Sequence, residues 1–372
     1  MRMRRMYFFM VLAVLGMAAC EKEDMKISPE DQNLTTVKFE MDASNLMHGG
    51  ATRSVQPVYS NAGFSIYAFR QEDSGNDFIC NQVIDGSSMS YDADNKKLTG
   101  TARLPIGTYR FISAYGLANP AHIAMPVMIS QTLTDDLGYT HQKTGSAPEI
   151  FLGEGVVANL PSYTLGLTSQ ANPVVTATLK RAVSRIDILF INATKNGTTY
   201  TEQAYPDGEN IFGNKDLEVI QLKLAGLNEK MNFLGNRLGT ATIDADINVS
   251  DLNQAVVIGT NPGQTAVGTD GFVNYDNIQG KDVIYGSAHI AGPYVFPGND
   301  ASKNTSLKLY IKPKDSVGRT ITIADKLPLE RNKVTLVKVY VLEGNVFTTK
   351  VNFEVEIQTE WLGENEVVGE VN

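Results

Sequence analysis

The feature that most restricts the fold is a period-two alternation of apolar and polar residues that recurs along the chain, while no convincing helical period runs for more than three turns. Its most regular example lies near the end. Val351, Phe353, Val355, Ile357 and Trp361 share one face of an extended segment with Thr359 between them, and Asn352, Glu354, Glu356, Gln358 and Glu360 share the other. Alternate side chains of a strand point to opposite faces, so this pattern predicts a half-buried strand. At about 3.3 Å per residue it reaches roughly 35 Å, longer than an ordinary strand. A shorter example sits near the start, where Val37, Phe39 and Met41 alternate with Thr36, Lys38 and Glu40.

Between these two segments the strand signals come close together. FSIYAF (Phe64 to Phe69), DFICNQVI, the KLTGTARL edge and TYRFISAYGL (Thr108 to Leu117) are rich in aromatic and β-branched residues, and Pro105-Ile106-Gly107 supplies a tight turn. Residues 118–160 carry Pro120, Pro126 and Pro148 and predict a short helix or a long irregular excursion. A second half opens at Pro173 with PVVTATLKRAVSRIDILFI, in which Arg181 and Arg185 mark a polar face. Residues 192–214 read as a long loop, and further strands are expected at 217–225, 255–258, 308–311, 319–323 and 334–342. Short strands separated by Gly and Asn turns predict an all-β chain with one sandwich in each half, at 56–172 and 173–372.

The first residues decide where such a chain works. Arg2, Arg4 and Arg5 precede a continuous apolar run from Met6 to Ala19, too short to span a bilayer comfortably, so residues 1–19 read as a secretion signal. The run closes on Met17-Ala18-Ala19-Cys20, which resembles the lipobox of bacterial lipoproteins. That resemblance implies diacylation of Cys20; the alternative is ordinary cleavage after Ala19. Each buried CH₂ of an acyl chain contributes about 0.8 kcal/mol, so two or more chains hold a folded protein to a membrane. Residues 20–55 then hold a charged tether, Glu21-Lys22-Glu23-Asp24, which resembles a surface-export signal or serves as a solvated linker, followed by the first strand and a soft loop. With Cys20 lipidated, Cys80 has no intramolecular partner, and buried apolar area rather than disulfides must stabilise the fold.

Composition excludes several functions. The net charge is -9, and no cluster of Lys and Arg follows residue 5, so nucleic acid is not an expected partner. His48, His122, His141 and His289 have no ligand spacing, and neither a metal nor a cofactor is expected. Asp92-Ala93-Asp94-Asn95 lacks the glycine and distal glutamate of a calcium loop and reads as a hairpin turn. Gly153-Glu154-Gly155 is too short to cradle a phosphate, no GxSxG elbow occurs, and Asp135-Asp136 has no base or nucleophile nearby, so no enzymatic activity is expected. The loop Asp42 to Gln56 contains Gly49-Gly50 and a single Arg or Lys, Arg53, before Ser54. Loop tips of this composition attract proteases, although an ordinary surface arginine reads the same way.

A lipobox near residue 20, an early strand, an arginine in the following loop, TLKRAVSRIDI, PYVFPG (Pro293 to Gly298) and LERNKVTLVKVYVL before a strand ending in Trp361 together resemble the fimbrillin family. These are lipoprotein precursors of type V pili in Gram-negative anaerobes. The resemblance implies two tandem transthyretin-like, Greek-key β-sandwich domains and assembly by donor-strand exchange. It implies that an arginine-specific protease cuts at Arg53-Ser54 and removes the strand of Val37, Phe39 and Met41. The C-terminal strand of another subunit, with Val351, Phe353, Val355, Ile357 and Trp361, then fills the vacated groove. The implied setting is the outer membrane, held by lipid on Cys20, and a fimbria built with other fimbrial subunits and touching a host or bacterial surface ligand. The resemblance further implies that anchor subunits of such pili keep the lipid and the first strand and lack a usable donor strand, and that tip subunits carry a variable, adhesive N-terminal domain. The competing class is a monomeric surface lipoprotein that binds glycans or host proteins through some of its fifteen tyrosines and fifteen phenylalanines.

Overall fold

The computed structural model describes residues 34–44, 63–92, 94–117, 122–166, 173–249, 256–265, 283–290, 292–298, 305–348 and 353–361, with Val334 and the last segment in backbone only. The first half contributes β1 (Leu34–Asp42), β2 (Phe64–Gln71), β3 (Phe78–Asp85), β4 (Met89–Asp92), β5 (Lys97–Pro105) and β6 (Gly107–Tyr115). It continues through β7 (Ile123–Ala124), β8 (Gly138–His141), β9 (Phe151–Gly155), β10 (Tyr163–Leu165), β11 (Val174–Thr178) and β12 (Lys180–Arg181). The second half opens with β13 (Ser184–Asn196), β14 (Thr199–Glu202), β15 (Leu217–Asn228), β16 (Lys230–Asn232), β17 (Thr242–Asn248) and β18 (Val256–Ile258). It closes with β19 (Ala288–Ile290), β20 (Tyr294–Val295), β21 (Thr305–Pro313), β22 (Arg319–Leu327), β23 (Lys333–Val341) and β24 (Phe353–Trp361).

Two sandwiches result, as the alternation predicts. In the first, the sheet β11-β1-β5-β4 faces the sheet β12-β9-β6-β2-β3, with β10 beside β6. Val37, Phe39, Leu98 and Val175 from the first sheet meet Ile66, Phe111 and Phe151 from the second. In the second sandwich, the sheet β18-β19-β13-β23-β24, to which β14 and β20 also add at β13, faces β17-β15-β21-β22. Its core joins Ile186, Ile188, Phe190, Val337 and Val339 to Leu222, Leu224, Ile247, Leu307 and Leu309. Several local expectations change. Residues 118–160 hold no helix among those described, only short strands and turns. β5 lies between β1 and β4 and β3 takes the edge of its sheet, while the expected loop at 192–214 begins with the β13–β14 hairpin, Ala193 opposite Glu202. The Asp92 turn is a hairpin between β4 and β5, in which the Asp92 carboxylate accepts from the backbone N–H groups of Asp94 and Asn95 at 3.0 and 3.1 Å.

The passage between sandwiches falls later than Pro173. β11 and β12 complete the two sheets of the first sandwich, and the second begins at β13. The two halves also share a core. Phe64 to Phe69 is apolar on both faces except for Ser65, and all six residues are buried; a strand covered on both sides reads as a continuous apolar run. One face of β2 enters the first sandwich through Ile66, and the other, through Tyr67 and Phe69, packs with Met231, Phe233 and Phe296 of the second half. Tyr139 stands edge-on to both Phe233 and Phe296, with centroids 5.9 and 5.3 Å away. A small sheet, β16-β8-β7, crosses between the halves.

Arg181 is not on a polar face: it is 2% exposed. Its Nε and Nη2 donate to Glu149 Oε1 at 2.9 and 2.6 Å and its Nη1 donates to Asn332 Oδ1 at 3.0 Å. A second buried polar group lies in β13. Asp187 Oδ1 accepts from Arg185 Nε at 2.8 Å and from the Gly292 N–H at 3.0 Å, and Asp187 Oδ2 is 3.3 Å from His289 Nε2. Burial pushes the Asp187 carboxyl up, but Arg185, His289 and the Gly292 N–H more than offset this and hold it below the ordinary value. Burial holds His289 below the ordinary imidazole range, against the pull of Asp187. Because the folded state binds fewer protons at His289 than the unfolded state does, the stability due to this group is present above about pH 6.5 and lost as pH falls below it. Asp187 adds a further loss as pH falls through its depressed folded value. The urea midpoint is therefore expected to fall between pH 7 and pH 5, and His289→Gln is expected to flatten that slope.

Candidate functional site

The site is the position of β1. Its alternation places Val37, Phe39 and Met41 inward, each 0% exposed, and Lys38 outward. On one side β1 pairs antiparallel with β5 along its whole length, from Leu34 opposite Pro105 to Asp42 opposite Lys97. On the other it pairs parallel with β11, from Lys38 opposite Val174 to Asp42 opposite Thr178. The backbone continues the ladder at both ends, where Lys38 N–H donates to Pro173 O at 2.9 Å, Ala43 N–H to Lys96 O at 2.9 Å, and Leu179 N–H to Asp42 O at 3.1 Å.

The inward face meets a shaped wall. Phe39 stands edge-on to Phe111 with centroids 5.7 Å apart, and Phe111 stacks on Tyr109 at 5.7 Å. Ser113 Oγ lies 3.2 Å from Met41 Sδ. Phe39 faces Gly100 across the ladder, and the Met89 side chain packs over that glycine: a Cβ there would lie 2.2 Å from Met89 Sδ and would require Met89 to move. Outward, Glu40 pairs with Lys97 at 3.7 Å, an exposed pair that contributes little. Burying one Val, one Phe and one Met at about 1.5–3 kcal/mol each makes this strand worth several kcal/mol to the first sandwich. Without an occupant the position would present an apolar slot walled by two strands with unpaired backbone edges.

The other expected site residues lie elsewhere. Phe353, Val355, Ile357 and Trp361 are in β24, which pairs antiparallel with β23 of its own chain, Phe353 opposite Val341 and Trp361 opposite Lys333. β1 and β24 are thus in different sandwiches. Cys20, Arg53, Ser54 and Val351 lie outside the described residues. Cys80 is buried, and burial pushes its thiol up to about 11, so it is protonated at neutral pH. Among the described residues no group of His, Cys, Asp and Glu is arranged to hold a metal ion, and no helix is long and apolar enough to cross a membrane. Sequence reading missed the burial of Arg181 against Glu149 and Asn332, and the Asp187–His289 contact. The one signal for the latter was an acidic residue inside the apolar run SRIDILF.

Fold and site define a two-sandwich protein whose first sandwich is completed by a strand from the N-terminal end of the chain. The chain belongs to the family of fimbrillin-A associated anchor proteins Mfa1 and Mfa2, whose family model matches residues 59–366, and it is a fimbria-associated cell-surface protein. The match takes in β24 and begins after β1. Similar solved structures include a fimbrial assembly protein from Parabacteroides distasonis, with 11% identity, 88% of this chain and 99% of that chain covered, and a TM-score of 0.40. Another is the fimbrial anchor protein Mfa2 from Porphyromonas gingivalis, with 9% identity, 87% and 97% covered, and a TM-score of 0.39. No curated protein matches the sequence.

Truncating the largest side chain of β1 tests its weight. Phe39→Ala is expected to cost about 3–5 kcal/mol in urea unfolding, whereas Lys38→Ala on the outer face should stay within about 0.5 kcal/mol.

Proposed function

We propose that this chain is a fimbrial subunit of the anchor kind, held at the outer membrane by acyl chains on Cys20 and built into a fimbria with β1 still in place. The family match over residues 59–366 carries this reading. β1 agrees with it. The strand is paired on both edges and its apolar side chains are sealed, so the first sandwich is complete and offers a neighbour no vacant position. The role is structural, with other fimbrial subunits and membrane lipid as partners, and no reaction is assigned to it.

A second reading has one observation in its favour. Val351-Asn352-Phe353-Glu354-Val355 repeats Val37-Lys38-Phe39-Glu40-Met41 at its valine, phenylalanine and glutamate. A strand of that sequence suits the β1 position, with a phenylalanine to meet Phe111 and a glutamate to meet Lys97. In this reading a cut at Arg53-Ser54 releases β1, and the C-terminal strand of another copy takes its place, backbone pairing giving affinity and alternate side chains giving register.

Three measurements test these readings, and the last two separate them. The anchor reading expects Cys20→Ala to move the protein out of the membrane fraction. It also expects the wild-type chain to keep a lipidated N-terminus by mass, and to stay monomeric on unboiled SDS gels after treatment with an arginine-specific protease. Heat-sensitive ladders that appear only after the cut would overturn the anchor reading and establish exchange.

A further inference from the structure

We infer that the junction between the two sandwiches registers whether the β1 position is filled. The coupling element is the stretch Pro173–Ser184, in which successive residues touch β1, a buried polar clamp, the shared core and the second sandwich. The Pro173 carbonyl accepts from Lys38 N–H, and β11 runs beside β1 as far as Thr178. On its other side, among the described residues, β11 is held by a single bridge, Val156 with Thr176, whose two backbone bonds are 2.8 and 2.9 Å. β1 is therefore the main lateral support of β11.

Leu179, 0% exposed in the first core, donates its N–H to Asp42 at the end of β1. There the chain leaves one sheet and joins the other as β12, with Arg181 opposite Phe151. Arg181 binds Glu149 and Asn332, and its guanidinium lies over the Phe151 ring at 4.9 Å. Its carbonyl accepts from Arg331 Nε at 3.0 Å, while Arg331 Nη1 donates to Leu234 O at 2.9 Å. Asn332 N–H donates to Val183 O at 3.0 Å, and Ala182 and Val183, both 0% exposed, enter the core shared with Phe233 and Phe296. Only Leu179 and Lys180 separate the last residue of β11 from the clamp, and both backbone and side-chain partners fix that interval.

Two conditions of the first sandwich follow. With β1 in place, β11 is held in register, Arg181 reaches Glu149 and Asn332 together, and the halves move as one body. With the position vacant, β11 keeps one bridge, and Arg181 loses the support that aims it. Coupling through a continuous set of packed and hydrogen-bonded groups is reciprocal, so loosening the clamp must also loosen β1. This holds whichever fimbrial role the chain plays, because it concerns contacts within one chain.

Hydrogen exchange read by mass spectrometry on the full chain tests the coupling. Asn332 has a φ of 60°, so Asn332→Gly removes the side-chain acceptor without straining the backbone. That variant is expected to speed exchange of residues 37–42 about tenfold, with β22 unchanged. Phe39→Ala, or Met41→Ala where a milder loss is needed to keep the fold, is expected to speed exchange at 181–184 and 331–333, again with β22 unchanged. Arg331→Ala should act like Asn332→Gly. The inference is overturned if the clamp variants loosen 181–184 while residues 37–42 keep wild-type rates. It is equally overturned if β22 accelerates in step with β1, which would mean general loss of stability.

Discussion

The seating of β1 between β5 and β11 is the interaction on which the first sandwich depends. An interior strand satisfies the backbone of both neighbours at once, and buried N–H and C=O groups left without partners are costly. β1 performs this for β5 in antiparallel fashion and for β11 in parallel fashion, and it adds the side chains that close the core above Phe111. Because the strand precedes β2 in the chain and is joined to it by the segment that contains Arg53, the element that completes the sheet is also one that a single cut in that segment would separate from the rest. On the two readings proposed above, the choice between an anchor and a polymerising subunit turns on whether that connection persists.

The sheet opposite β1 constrains the second half. β2 and β6 are buried on both faces, one toward the first core and one toward the core shared with Met231, Phe233 and Phe296. A sheet covered on both faces leaves no layer of water on which the halves could slide. β8 and β16 also pair directly across the boundary, Met231 opposite Tyr139. The lateral position of β11, the aim of Arg181 and the packing of the second sandwich are therefore parts of one structure, unlike the small polar interfaces that let tandem domains swing.

What the sequence made legible follows from locality. Alternation is a local property, so the strands of Val37–Met41 and Phe353–Trp361 and the all-β class could be read directly. Lateral order is not local. PVVTATLKR carries the strand signal that placed it in the second half, yet its partners, β1 and β9, lie far back in the chain. Arg181 read as surface because an arginine in a strand is usually exposed; its partners Glu149 and Asn332 stand 32 and 151 residues away, and no pattern in the neighbourhood of Arg181 announces them. His289 and Asp187 were hidden in the same way, 102 residues apart. Of the two alternatives at 118–160, the helix is absent among the described residues, while the irregular excursion holds at 125–137. The short strands around it, β7 and β8, depend on a partner no local pattern shows, since β8 pairs with β16 and Tyr139 enters the shared core.

Arg181 also explains why β12 sits in one register. Desolvating a guanidinium is expensive, and an apolar contact of the same volume would be as stable or more so. What the guanidinium adds is direction, since its rigid fork must find Glu149, Asn332 and the face of Phe151 at the same time. Leu179 points into the first core, Lys180 is exposed and Arg181 is buried. A slip of one residue would turn each of these to the opposite face, burying the Lys180 ammonium where a fork is required and exposing Leu179. The same slip would carry β11 out of step with β1, since Thr178 and Leu179 are adjacent and Leu179 is bonded to Asp42. Register at the clamp and register at the β1 position are thus one quantity, set where the burial of a charge makes every alternative cost more.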